Sequence, residues 1–94
     1  MAETSGFKGK SMKAIAGDIA EGYISINPLF LKKFDHEMIK ELYEFINKAM
    51  TMIRLEKVDL SNQFALRMRN MKLQRLHNAI IIIRNTAREK RFPL

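Results

Sequence analysis

Arg67, Asn70, Gln74, His77, Arg84 and Arg88 recur at spacings of three and four, with only Ile81 interrupting, so on an α-helix they fall along one face. Guanidinium, amide and imidazole groups are the side chains that bond phosphate oxygens and base edges, and a long helix presents them to a groove. Arg75, next to Gln74, adds a further guanidinium to the group. The same residues also describe an ordinary solvated face, or one that recognises an acidic patch on a protein. The chain lacks the helix-turn-helix spacing, the Gly-X-X-Gly loop and the aromatic strand motifs of the common nucleic-acid modules.

Other chemistry finds little support. His36 and His77 have neither a carboxylate nor a second histidine three or four residues on, the spacing a helical metal site uses. Glu37, Glu41 and Glu44 share one helical face, but the Glu-X-X-His partners of di-metal bundles are absent. Ser5, Ser11, Ser25 and Ser61 stand in the N-terminal arm or at helix caps, without an Asp-His pair to activate them. Residues 6–10 are too short for a phosphate loop and follow no strand. No cysteine is present, which removes thiolate chemistry and disulfides and agrees with a cytoplasmic setting. The expectation is therefore a non-enzymatic protein with no catalytic residue, metal or cofactor.

The charge is uneven. Formal charge is +2 over residues 1–33, −2 over 34–59 and +7 over 60–94, where Glu89 alone opposes eight Lys and Arg side chains. Arg84 and Arg88 are like-charged neighbours four apart and repel. If the two long helices lie side by side, Glu37, Glu41 and Glu44 can approach Lys72, Arg75 and Arg84. A basic excess near +5 survives that pairing, and a polyanion, DNA or RNA, is its natural partner.

The elements that must hold these residues are all helical. A flexible, mildly basic arm over 1–10 is expected to precede a single domain over 11–94. Met12, Ile15, Ala16, Ile19, Ala20 and Tyr23 line one face of a short helix, with Gly22 as its left-handed stop. Asn27 and Pro28 are a cap and first-turn proline for one apolar turn through Leu29, Phe30, Leu31 and Phe34, all expected over the core. Asp35 caps a helix near 36–57 with an unbroken stripe from Met38 through Leu42 and Ile46 to Ile53. Asp59 or Ser61 then caps a last helix to about residue 90. The alternative, one continuous helix over 36–90, would be about 80 Å long and would have to assemble as a coiled coil.

In the last helix the apolar face shifts. Leu60, Phe64, Met68 and Met71 share one side, whereas Leu73, Leu76, Ile80, Ile83 and Ala87 continue about a third of a turn away. Residues 80–83 are four isoleucines in a row, pointing in nearly all directions, so another helix or a second copy must cover some of them. Met68, Met71, Ile80, Ile81 and Ile82 are the expected partner interface, in a dimer or against another protein. The longest apolar run, 79–83, is far shorter than the roughly 18 residues of a membrane span.

Residues 19–23, Ile-Ala-Glu-Gly-Tyr, resemble a short signature in the four-helix proteins encoded by ribosomal-RNA intervening sequences. The likeness covers those five residues, and no activity or site residue is taken from it. Together the residues describe an all-α protein: a small antiparallel bundle of three or four helices with a long basic C-terminal helix, expected to associate as a homodimer, with a monomeric bundle as the alternative. Nucleic-acid binding through that helix is the leading expectation. A protein adaptor or regulatory subunit docking through its Met and Ile faces is the alternative.

Overall fold

The computed structural model describes residues 11–91 and 93–94; the arm expected over 1–10 lies outside them. The described residues form four helices, α1 Met12–Glu21, α2 Pro28–Leu31, α3 His36–Leu55 and α4 Gln63–Lys90, and no strand. Helix α1 packs against α3 and α4, α3 packs against α4, and α2 closes onto α4. No helix among the described residues is long and apolar enough to cross a membrane.

Each helix starts on a side-chain cap that satisfies an otherwise orphaned N–H. The caps are Ser11, Asn27, Asp35 and Asn62, each accepting from the backbone N–H three residues on at 2.8 to 3.1 Å. The cap of α4 is Asn62, one residue beyond Ser61, because Asp59 and Ser61 are used in the preceding turn. There Asp59 Oδ1 accepts from the Ser61 backbone and hydroxyl, and the Asn62 N–H donates to the Asp59 carbonyl at 2.9 Å. This turn breaks the chain between Leu55 and Gln63, so the long helices fold back as a hairpin and not as one rod.

Helix α1 ends at Gly22, whose φ of 84° is left-handed; Gly22 N–H donates to Ile19 and Tyr23 N–H to Asp18. That pair of bonds is the Schellman arrangement. It also explains why Tyr23, expected on the buried face, is exposed: the left-handed turn carries it past the helix. The core gathers Met12, Ile15 and Ile19 of α1, Ile39, Leu42 and Ile46 of α3, and Leu76, Ile80 and Ile83 of α4. Leu31 and Phe34 seal one end, with Phe30 edge-on to Phe34 at 5.2 Å; Leu29, expected beside them, points to solvent.

The register of the long hairpin decides what is covered. Arg84 bonds Tyr43 Oη and His36 Nε2 lies 3.0 Å from the Pro93 carbonyl, so α3 and α4 run antiparallel. Carried along the pair, this register brings α3 to its end near residue 72 of α4. The C-terminal end of α1 reaches the same level, through Glu21 with Lys72 and Ala20 with Arg75. The first two turns of α4 therefore project beyond both neighbours. No residue of α4 before Leu76 is buried. Its 28 residues, about 42 Å at 1.5 Å each, account for the 44 Å long axis of the molecule.

Candidate nucleic-acid interface

The candidate face is the side of α4 opposite the core. Because α4 buries Leu76, Ala79, Ile80, Ile83 and Ala87 against α1 and α3, the opposite positions must face solvent. Arg67, Asn70, Gln74, His77, Ile81, Arg84 and Arg88 are all exposed, a continuous file of seven residues in three-four steps. From Arg67 to Arg88 it runs about 32 Å along the helix.

Three groups in the file have side-chain partners, Asn70 through its Oδ1, which accepts from Arg69 Nη1 at 3.5 Å. Arg84 donates from Nε and Nη2 to Tyr43 Oη at 3.4 and 3.3 Å, and its guanidinium lies 6.0 Å from the Tyr43 ring centre. Gln74 Nε2 donates to Asn78 Oδ1 at 3.2 Å, a contact between neighbours four residues apart. Among the described residues, Arg67 and Arg88 meet no carboxylate.

Arg75 does not belong to the file. It is half-buried on the flank toward α1, where Nη1 donates to the Ala20 carbonyl at 3.0 Å. Nothing in its sequence position announced this, because the contact joins residues 55 apart and depends on where α1 stops.

The internal pairing expected for the acidic stripe is not made. Among the described residues, Glu37, Glu41 and Glu44 form no ion pair with Lys72, Arg75 or Arg84. Lys72 instead pairs with Glu21 at 3.3 Å, Arg75 caps α1 and Arg84 binds a phenol. An exposed pair such as Lys72–Glu21 is worth under about 1 kcal/mol, so the remaining cations keep their demand for an outside anion. No group of three His, Asp or Glu among the described residues is arranged to hold a metal ion.

The residues expected at a partner interface separate. Ile80 is 3 % exposed inside the bundle and offers no surface to a partner. Ile82 is half-buried against the core, Met68 is half-buried, and Met71 and Ile81 are exposed. The larger apolar surface lies elsewhere, at the hairpin end, where Met52, Leu55, Leu60 and Phe64 are open to solvent, Leu60 at 79 % and Phe64 at 71 %. Leu60 and Phe64 stood in the sequence on the shifted apolar side of α4, but only the register shows that neither α1 nor α3 reaches them.

No protein-family model, no curated protein and no solved structure matches this chain. Residues 19–23 thus carry a short likeness that extends to no family. In this fold they have local work: Ile19 and Ala20 pack the core, Glu21 pairs with Lys72 and Gly22 ends α1.

Proposed function

We propose that this chain is a small non-enzymatic nucleic-acid-binding protein that lays the exposed file of α4 along a phosphate backbone. The observation that supports this most is that the file is open over its whole length, while Arg67 and Arg88 have no acid of the described chain to neutralise them. Arg67, Arg84 and Arg88 contact phosphates, and Asn70, Gln74 and His77 reach sugar or base edges. Arg75 stands outside this group, since it lies on the flank of α4 toward α1 and not on the file.

Binding of this kind releases counterions. With about three phosphate contacts, the logarithm of the affinity for duplex DNA should fall with a slope near −2.7 against the logarithm of salt concentration. Fluorescence anisotropy on labelled DNA and RNA oligonucleotides measures it. Replacing Arg84 and Arg88 by Gln should make that slope shallower by about 0.9 for each arginine removed. Absence of binding at about 50 mM salt, where such contacts are strongest, removes the proposal.

A second reading rests on the hairpin end. Met52, Leu55, Leu60, Phe64 and Met71 expose apolar area that no helix of this chain covers, and such surface is a recurrent mark of protein contact. In that reading the protein is an adaptor or a homodimer, and the basic rim at Arg54, Lys57 and Arg69 selects an acidic partner. A pull-down with and without nuclease separates the two. Nuclease strips the partners of a nucleic-acid binder and leaves those of an adaptor.

A further inference from the structure

Behind the basic file, where α1, the segment after it and α4 meet, lies a cavity of about 350 Å³. That volume falls within the range of small-molecule sites. Four isoleucines line it, Ile19 and Ile26 buried and Ile24 and Ile82 half-buried, and the surface it exposes is more polar than apolar. Its polar groups are Arg75, Asn78 and Ser25, and no carboxylate lines it.

These groups act as donors toward the cavity. Arg75 spends Nη1 on the Ala20 carbonyl, and its other N–H groups make no hydrogen bond or ion pair with the described residues. Asn78 has its Oδ1 occupied by Gln74, which leaves the Nδ2 hydrogens to donate. Gly22 is part of the arrangement, because a Cβ there would come within 2.9 Å of Arg75 Cζ. The chain thus brings a guanidinium against bare backbone at the mouth of an isoleucine-lined hollow.

The unspent guanidinium N–H groups select an anion, and the isoleucine side chains beside them select an organic body for it. The guanidinium sits against the carbonyl end of α1, whose partial negative charge offsets part of its field and disfavours a doubly charged phosphate. We propose that this cavity binds a small organic monocarboxylate, its carboxylate on the Arg75 fork and Asn78 amide and its aliphatic body among the isoleucines. A free short-chain fatty acid and the C-terminal carboxylate of a peptide share that chemistry. The site is separate from the nucleic-acid file and stands or falls independently of it.

The test is an NMR titration of the full chain, isotopically labelled, with hexanoate for the fatty acid and N-acetyl-leucine for the peptide terminus. Saturable shifts at the amides of Gly22, Ser25 and Asn78, with a Kd of about 1 mM, are expected for at least one of them. The tighter of the two assigns the source. In the series from butyrate to hexanoate the affinity should rise about three- to fourfold per methylene. Hexanol and inorganic phosphate, each lacking half of the required chemistry, should bind at least about tenfold more weakly.

Arg75→Lys keeps the charge but loses the planar fork, and should weaken binding by about tenfold. Since Arg75 also caps α1, Ile82→Phe provides a check that leaves the guanidinium untouched: it fills the cavity and should abolish binding while the chain stays folded. The proposal is overturned if no saturable shift appears by about 20 mM of either carboxylate. It is equally overturned if phosphate or hexanol matches hexanoate, or if Ile82→Phe binds as the wild type does.

Discussion

At Gly22 two demands meet on one residue. The backbone there is left-handed, and the Arg75 guanidinium lies where a side chain would begin. An L-residue in that conformation costs about 1 to 2 kcal/mol before any clash is counted. Gly22→Ala is therefore expected to lower unfolding free energy by at least about 1 kcal/mol in urea denaturation. A loss under about 0.3 kcal/mol would mean that α1 ends differently. Asp59 offers a residue-scale prediction of another kind. Its carboxyl is held below the ordinary aspartate value, first by the Ser61 hydroxyl and then by the Ser61 backbone N–H. An NMR pH titration should place Asp59 under about 3.9, and Ser61→Ala should return it part of the way. Because the folded pKa is the lower one, the associated stabilisation is present above the unfolded value of about 3.9. It is lost as pH falls through the folded value, so wild type and Ser61→Ala should converge in stability in acid.

At the scale of the element, the helices carry two positions where local chemistry opposes the fold. Gly17 stands inside α1, exposed, and a methyl group added there would meet nothing within 4 Å. Gly17→Ala should therefore stabilise the protein by about 0.8 to 1 kcal/mol through helix propensity. At the other end of the chain, Arg91 terminates α4 with a φ of 60°, the left-handed conformation that glycine adopts freely. Arg91→Gly should gain up to about 1 kcal/mol. Thermal unfolding of both variants is the measurement, and a fall in Tm for Gly17→Ala would contradict the open surface described for that face. The sequence marks this end by Lys90, Arg91 and Pro93 but offers no glycine for the left-handed position, which Arg91 takes instead.

For the molecule as a whole, the decisive feature is the mismatch in helix length. Ten residues of α1 and twenty of α3 cannot cover twenty-eight of α4. The uncovered part is the N-terminal end of α4 with the loop before it, where Leu55, Leu60 and Phe64 meet water. A domain of this size is stable by only about 5 to 10 kcal/mol, so burying that end against a second copy would add materially to it. Analytical ultracentrifugation of the wild type is expected to show self-association that rises with concentration. The double variant Leu55→Ser, Phe64→Ser should sediment as a folded monomer whose Tm, unlike that of the wild type, does not rise with protein concentration, since neither side chain packs in the core. A wild type that is monomeric at about 100 μM would overturn self-association through this end.

Much of this architecture was readable in the chain before any coordinates. Helix starts at Asn27 and Asp35, the stop at Gly22 and the buried stripe of α3 depend on residues within one or two turns of each other, and such interactions are written in adjacent letters. The α4 file was equally legible, because a three-four spacing puts side chains on one face in any helix. What the letters did not contain was the relative height of the helices. Only the tertiary register brings α1 and α3 to an end near residue 72, and from that single fact follow the exposed hairpin end, the burial of Ile80 and the withdrawal of Arg75 from the basic face to the cavity beside Gly22. Local hydrogen bonds and periodicity select a helix and its faces; which face is covered, and by what, is settled by contacts between residues some fifty positions apart, where no pattern in the chain reaches.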